Sequence, residues 1–140
     1  MFSCNNSSIN SNLESTNSNQ LIGTWKLVYA EIREQDSVTI KDTSTSEFIK
    51  IINKSHFAFF NQNLENSDDF YGGAGTYILD GNSYVETLNF IENNSFRGHT
   101  FSFNIEFKGD TLIQSGLEKI KDANINRYIV EKYIKIKNKR

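Results

Sequence analysis

The chain has 140 residues, enough for one domain with a substantial core and too short for two of ordinary size. Its 15 Lys and Arg residues against 17 Asp and Glu residues give a net charge of −2, so no cationic field favours nucleic acid as a partner. The one cysteine excludes a disulfide framework or a zinc ribbon within the chain, and no apolar run reaches the roughly 18 residues of a membrane-spanning helix.

Residues 1–20 are rich in Asn and Ser and carry little that a core could bury. We predict a flexible N-terminal segment there and one folded domain over residues 21–140. Cys4, preceded by Ser3 and followed by the polar stretch, is similar to the end of a bacterial lipoprotein signal. This interpretation predicts a lipid on Cys4, a location at the bacterial cell envelope as a periplasmic or outer-membrane lipoprotein, and membrane contact through that lipid alone. The alternative is an ordinary disordered N-terminus on a cytoplasmic protein that starts at Met1.

The first predicted strand covers residues 21–32 and alternates with a period of two residues. Trp25, Leu27 and Tyr29 fall on one face, which we assign to the interior of the domain. A polar stretch, 33–46, then interrupts the pattern.

Two short strands are predicted next, over residues 48–52 and 56–60, joined by a turn. Both faces of this pair carry apolar residues, so alternation does not decide which face is inward. A second polar gap, 61–69, follows the pair.

A clear hairpin follows, with strands over 75–79 and 83–90 on either side of Asp80-Gly81-Asn82. A two-residue turn places one set of side chains on a common inward face. That set is Tyr77, Leu79, Tyr84, Glu86, Leu88 and Phe90.

The last three predicted strands cover residues 101–107, 111–116 and 126–137. In the first of them the apolar residues Phe101, Phe103, Ile105 and Phe107 alternate with polar ones. The following strand places Leu112 and Gln114 on the same face as these Phe residues. The final strand has Arg127, Ile129, Glu131 and Tyr133 on one face.

Eight strands in sequence, joined by hairpins and polar loops, predict an all-β protein. No helical pattern is long enough for a crossover between parallel strands. An eight-stranded antiparallel up-and-down β-barrel has no free edge and encloses room for about one small ligand. A two-layer β-sandwich is the competing architecture.

The opening Gly23-Thr24-Trp25 resembles the lipocalin signature, in which the tryptophan closes one end of the barrel. The wider pattern resembles a group of small lipocalin-like (calycin-type) lipoproteins of Bacteroidetes, whose function is unsettled. The match runs in order from residue 21 to residue 136. Its later segments are His56-Phe57, Gly75-Thr76-Tyr77, Tyr84-Val85-Glu86, Gly109-Asp110-Thr111-Leu112 and Glu131-Lys132-Tyr133. The chain lacks the Thr-Asp-Tyr motif, the long C-terminal helix and the cysteine pair of secreted lipocalins.

The inward faces predict a cavity that binds a small apolar or amphipathic molecule without catalysis. The predicted ligand-binding residues are Trp25, Leu27, Tyr29, Tyr77, Leu79, Tyr84, Glu86, Phe101, Phe103, Phe107 and Tyr133. Eleven Phe and six Tyr residues also allow the alternative that the barrel is filled by its own side chains and serves as a structural or interaction module. A cavity smaller than roughly 300 Å³ would favour the filled barrel.

Three carboxylates, Glu31, Glu86 and Glu131, fall on faces assigned to the interior, where each needs a partner or a proton. In one interpretation these carboxylates bind and orient the polar end of a ligand. Another makes them a structural network, with Glu86 accepting hydrogen bonds from Tyr hydroxyls or from Arg127. A third is general acid–base catalysis, but no neighbouring residue supplies a nucleophile, and we assign no catalytic residue and no cofactor.

His56 and His99 are the only histidines, and His56 is placed in a strand where it could face inward. A lone strand histidine is more often structural than a metal ligand, so no metal site is predicted. The stretch 71–75 is rich in glycine but leads into a strand, whereas a phosphate loop opens a helix. These glycines indicate a bulge or a sharply coiled strand instead.

Overall fold

A computed structural model describes residues 17–137 and is all-β over nearly its whole length. Within this range a helical turn at 17–21 precedes nine strands, and a short 3-10 helix, Lys121–Ala123, precedes the last of them. The strands are β1 (Gly23–Glu34), β2 (Ser37–Ile40), β3 (Ser46–Ile52), β4 (His56–Asn63), β5 (Phe70–Asp80), β6 (Ser83–Ile91), β7 (Thr100–Lys108), β8 (Thr111–Ile120) and β9 (Ile125–Lys135).

Eight of these strands form a closed antiparallel barrel. Each strand from β3 to β9 pairs with the next, and β1 closes the circle by pairing with both β3 and β9. The ninth strand, β2, forms a hairpin with the far end of β1 and lies inside the predicted polar gap 33–46. The barrel prediction is therefore confirmed, in a form consistent with a lipocalin-like fold, and the sandwich is excluded.

The β5–β6 hairpin has the predicted two-residue turn. Asp80 pairs with Ser83, and Gly81 adopts a φ of +59°, a conformation that glycine reaches without steric cost. Tyr77 lies opposite Glu86, and Leu79 lies opposite Tyr84, so the predicted sharing of a face is confirmed over this part of the hairpin.

A β-bulge farther along the same hairpin reverses the face of Phe90. Gly75 pairs with Leu88, but Ala74 pairs with Phe90, so β6 carries one extra residue at this point. The extra residue shifts the alternation by one. Leu88 points inward while the Phe90 side chain is 70% exposed, and the prediction that both face inward is wrong for Phe90.

A second bulge corrects the predicted inner face of β1. Leu27 lies opposite Tyr133, but Tyr29 lies opposite Lys132, whose side chain points away from the barrel. Tyr29 is therefore on the outer face, where its hydroxyl donates a hydrogen bond of 2.7 Å to Glu31. Glu31 follows the same shifted alternation, opposite Val130, so the inward assignment of both residues from simple alternation is wrong, although Glu31 still borders the cavity in the barrel.

The β7–β8 pair follows the predicted pattern. Phe101, Phe103 and Ile105 are buried in the interior. Leu112 and Gln114 on β8 face the same interior, as predicted.

The helical turn at 17–21 closes one end of the barrel. Leu21, from the helical turn, is completely buried, and its carbonyl accepts a hydrogen bond of 2.8 Å from the Trp25 indole. The Asn17 side chain donates to the carbonyl of Gly81 at 3.2 Å, which ties the turn to the β5–β6 hairpin. The folded domain therefore includes residues 17–20, which the sequence assigned to the flexible segment. The rest of that segment, with Cys4, lies outside the described residues.

The helices within residues 17–137 are all too short and too polar to cross a lipid bilayer.

Candidate ligand cavity

The half of the barrel away from the helical turn contains a cavity of about 460 Å³. Tyr71, Glu92 and Asn93 stand at its mouth and are exposed to solvent. The walls deeper inside are mainly apolar. They comprise Leu27, Ala30, Phe48, Phe59, Leu88, Phe101, Phe103 and Ile129.

Lys50 contributes a buried cation to this cavity. Lys50 lies two residues after Phe48 and two before Ile52 on β3, so its side chain points into the barrel as theirs do. The residue is only 3% exposed. The ammonium forms an ion pair with Glu86 and donates a hydrogen bond of 2.9 Å to Oε1 of Gln114. A buried ion pair of this kind is tolerated only when hydrogen bonds satisfy the remaining polar groups.

Aromatic rings surround the same ammonium. Its nitrogen lies 5.1 Å from the ring centres of Phe57 and Tyr84 and 5.9 Å from that of Tyr133. Electron-rich ring faces stabilise a cation at this distance, more strongly where water is excluded. Lys50 is therefore held on several sides by groups of the protein itself.

Glu86 is buried, as the sequence predicted, but its partner is different. Lys50, not Arg127, neutralises it. Arg127 instead lies nearer the mouth and donates a hydrogen bond of 2.8 Å to Glu118. Burial raises the pKa of the Glu118 carboxyl, although the neighbouring Arg127 guanidinium partly opposes this effect.

Glu131 is the third interior carboxylate. The Tyr133 hydroxyl donates to its Oε2 atom at 3.0 Å. The accessible part of Glu131 faces the cavity, so the carboxyl group is largely removed from bulk water. This burial raises the pKa of Glu131 to about 7, with a smaller opposing contribution from the charge on Lys50.

A second lysine stands at the mouth. The Lys41 ammonium donates to Oδ1 of Asn61 at 2.7 Å and to the Tyr71 hydroxyl at 3.0 Å. It also lies 5.1 Å from the centre of the Phe48 ring. These contacts link the segment after β2 to the rim of the barrel.

The predicted ligand-binding residues divide into three groups in the structure. Leu27, Glu86, Phe101, Phe103 and Tyr133 line the cavity. Trp25, Tyr77, Leu79, Tyr84 and Phe107 belong to the packed core and are absent from the cavity wall. Tyr29 lies on the outer face and is the one member of the set that leaves the interior altogether.

The buried Tyr84 hydroxyl has no hydrogen-bond partner among residues 17–137. Burial, together with the charge on Glu86, raises the pKa of Tyr84 far above its ordinary value. The group therefore remains a neutral phenol within the core.

Lys50 is the important residue that alternation did not identify. It shares a face with Phe48 and Ile52, while Ile49 and Ile51 occupy the opposite face of β3. A lysine normally lies on the solvent-exposed face of a strand, but here the opposite face is apolar as well. The sequence therefore does not show which face of β3 is inward. The pairing of Lys50 with Trp25 across β1 and β3 would have resolved this ambiguity, but pairing is a property of the closed barrel.

The histidines lie outside the cavity. His56 is exposed, next to the inward residue Phe57, and its ring contacts the Ser55 hydroxyl at 2.6 Å. His99 is exposed too, on the loop between β6 and β7. Over residues 17–137 no group of three or more His, Cys, Asp or Glu side chains is arranged to hold a metal ion.

A scan against protein-family models finds no match for this chain, and a search of curated proteins finds no significant sequence similarity. A functional interpretation therefore depends on the chemistry of the cavity.

Proposed function

We propose that the barrel binds a small amphipathic molecule, without catalysis, in the cavity described above. The observation that carries this proposal is an unfilled space of about 460 Å³ whose accessible wall is mainly apolar and which also contains charged and polar side chains. Sites for small molecules typically measure roughly 300–1,000 Å³ and have this composition. The apolar part of the ligand contacts the rings of Phe48, Phe59, Phe101 and Phe103, and its polar part reaches Glu131.

The alternative, a barrel filled by its own side chains, applies only to the half of the barrel that the helical turn closes. Around Trp25 and Leu21 the interior is packed with the protein's own side chains. This packing supports the proposal, because it supplies a rigid floor beneath the cavity.

Binding of N-phenylnaphthylamine tests the proposal. This neutral amphipathic dye becomes fluorescent in apolar surroundings, and we expect the protein to increase its emission in a saturable manner. Ala30 lines the cavity, so Ala30→Phe should fill part of it and weaken dye binding at least about tenfold, equivalent to about 1.4 kcal/mol.

Ala58→Phe is the matched control. Ala58 lies on β4 between the inward residues Phe57 and Phe59, so its side chain points outward. Circular dichroism should show that both variants are folded. Equal dye binding by the two variants, or no saturable binding by the unaltered protein, would refute a ligand site in the barrel.

For the family and location, we propose a small lipocalin-like lipoprotein of the bacterial envelope, anchored through Cys4. The support for this is the sequence alone, in which Ser3 and Cys4 precede a polar stretch. Incorporation of labelled palmitate by the full-length precursor in a bacterial host, and its loss in Cys4→Ser, is the expected result. An unlabelled precursor would contradict the anchor.

A further inference from the structure

One carboxylate inside the barrel has no ion-pair partner among residues 17–137. The acidic residues that line the cavity are Glu31, Glu86, Glu92, Glu118 and Glu131, of which Glu92 stands at the mouth. Glu31 pairs with Arg33 outside the cavity wall. Lys50 pairs with Glu86, and Arg127 pairs with Glu118. Within residues 17–137, Glu131 has no cation within 4.0 Å, and its one hydrogen-bond donor is the neutral Tyr133 hydroxyl.

The unpaired carboxylate faces space rather than protein. Its Oε2 atom accepts the hydrogen bond from Tyr133, which leaves Oε1 without a protein donor in the described part of the chain. The residue lines the cavity and keeps part of its surface accessible there. A buried carboxylate needs a compensating positive charge or a proton, so an added cation at this position would be stabilised.

Aromatic rings accompany this carboxylate around the cavity. The Phe48 ring centre lies 6.2 Å from that of Tyr133 and 5.4 Å from that of Phe59. Phe101 and Phe103 complete the aromatic part of the wall. Ring faces beside a carboxylate are the combination by which proteins recognise organic ammonium groups.

An anionic ligand fits this interior less well. Lys50 is almost completely enclosed, and its ammonium is already engaged by Glu86, Gln114 and the surrounding rings. A ligand carboxylate deep in the cavity would add another negative charge beside Glu86 and Glu131. The lining cation that has no carboxylate partner among residues 17–137, Lys41, stands at the mouth instead, where Asn61 and Tyr71 accept its hydrogen bonds.

We infer that the cavity selects a ligand with one cationic amine group on an apolar body, and that Glu131 is its counter-ion. This inference rests on the proposed ligand-binding function and specifies the chemistry of that ligand. The ammonium group donates to Oε1 of Glu131, and the apolar body packs against the aromatic wall.

Binding of an amine should depend on pH. The titratable and charged groups that act on Glu131 are Lys50 on β3, Glu86 on β6, Glu118 on β8 and Tyr133 on its own strand. Because burial raises the pKa of Glu131 to about 7, the empty site is protonated in mildly acidic solution. An arriving ammonium replaces that proton, so affinity for the amine should increase as the pH rises through neutrality.

Displacement of N-phenylnaphthylamine by octylamine, octanol and octanoate tests this inference. These probes share one alkyl chain and differ in the charge of the head group. At about pH 8 we expect octylamine to displace the dye at a concentration at least about tenfold lower than octanol, with octanoate weakest. The advantage of octylamine over octanol should shrink towards about pH 5.

The variant Glu131→Gln should remove the advantage of octylamine over octanol and the pH dependence of that advantage. Glu106→Gln is the matched control, because Glu106 lies on the outer face of β7 and its side chain is 55% exposed. The pH series on the unaltered protein gives the same test if Glu131→Gln does not fold.

The outcomes separate this inference from the proposed function. If the dye binds but octylamine and octanol compete equally, or octanoate competes best, the counter-ion role of Glu131 is wrong while ligand binding stands. If neither the dye nor any of the three probes binds, both proposals fall.

Discussion

Lys50 shows how one side chain organises the interior of the barrel. It carries a charge into a place where most residues are apolar, and its ion pair with Glu86 and hydrogen bond to Gln114 connect three strands. A buried charge with its partners in place costs little, whereas the same charge left alone costs several kcal/mol. The cluster therefore favours one arrangement of β3, β6 and β8 over slipped alternatives.

Lys50→Met should destabilise the protein by about 3–5 kcal/mol, because it leaves Glu86 buried without a cation. The double variant Lys50→Met with Glu86→Leu should recover most of that loss, since no unpaired charge remains. Urea unfolding measured by tryptophan fluorescence provides the free energies.

Lys26→Met is the control for this measurement. Lys26 lies on β1, its side chain is 49% exposed, and its ion pair with Glu47 spans 3.6 Å. Exposed pairs of this kind contribute about 0–1 kcal/mol, so the change should be small. Equal losses for Lys26→Met and Lys50→Met would mean that the buried pair has no special role.

At the scale of the strands, two β-bulges decide which residues enter the cavity. The bulge on β1 moves Tyr29 to the outside and brings Ala30 to the cavity wall. The bulge on β6 moves Phe90 outside and leaves Ile91 to line the cavity. Both bulges exchange an aromatic ring for a smaller inward side chain, which leaves the mouth of the barrel open.

Gly75 makes the bulge on β6 feasible. A β-carbon built on Gly75 would lie 1.8 Å from the backbone oxygen of Thr87, so no other residue fits without moving the strands. We expect Gly75→Ala to reduce the free energy of unfolding by at least about 3 kcal/mol, because the clash is with backbone and cannot be relieved by a side-chain rotation. Thermal and urea unfolding would measure the loss.

Gly81→Ala is the control, because it shows how much stability is lost when a glycine is replaced at a position without a steric clash. Gly81 has a positive φ of 59° but open space around its α-carbon, so alanine there should cost only about 1–2 kcal/mol of backbone strain. Similar losses at positions 75 and 81 would show that crowding at the bulge is unimportant.

The whole molecule combines a packed half with a hollow half. The helical turn at 17–21 and Trp25 close one end, and the cavity occupies the other. Each of the eight barrel strands pairs with a neighbour on both sides, and this closure holds the charged residues of different strands near one another. Because those residues belong to one cooperative unit, their protonation should affect the stability of the entire fold.

Glu131 makes that stability depend on pH. Its folded-state pKa of about 7 exceeds the ordinary value of 4.5, so between these values the folded protein keeps a proton that the unfolded chain has lost. The stabilisation is complete below the ordinary pKa and is lost as the pH rises through the folded one. From about pH 5 to about pH 8 the expected contribution of Glu131 is a loss of about 2–3 kcal/mol.

The comparison with Glu131→Gln isolates this contribution, because glutamine has the same shape and does not titrate. The difference in unfolding free energy between variant and unaltered protein should increase in favour of the variant over that pH range. A constant difference would indicate that Glu131 titrates normally in the folded protein.

Alternation correctly placed the residues of the regular strands, including Glu86, Phe103, Gln114 and Tyr133, because a strand turns successive side chains to opposite faces wherever its pairing is regular. It failed at Tyr29 and Phe90, where a bulge adds one residue and reverses the order. It was ambiguous at Lys50, where a charge shares the face of Phe48. These exceptions all depend on the neighbouring strand.

By itself, then, the sequence determined an all-β chain of antiparallel strands with an aromatic interior, because period-two hydrophobicity and turn residues are local properties. Only the tertiary structure decided that the barrel closes, that Lys50 neutralises Glu86, and that Glu131 remains unpaired beside an open space. The physical reason is that partners and empty volume arise between strands far apart in the chain, and no single strand encodes them.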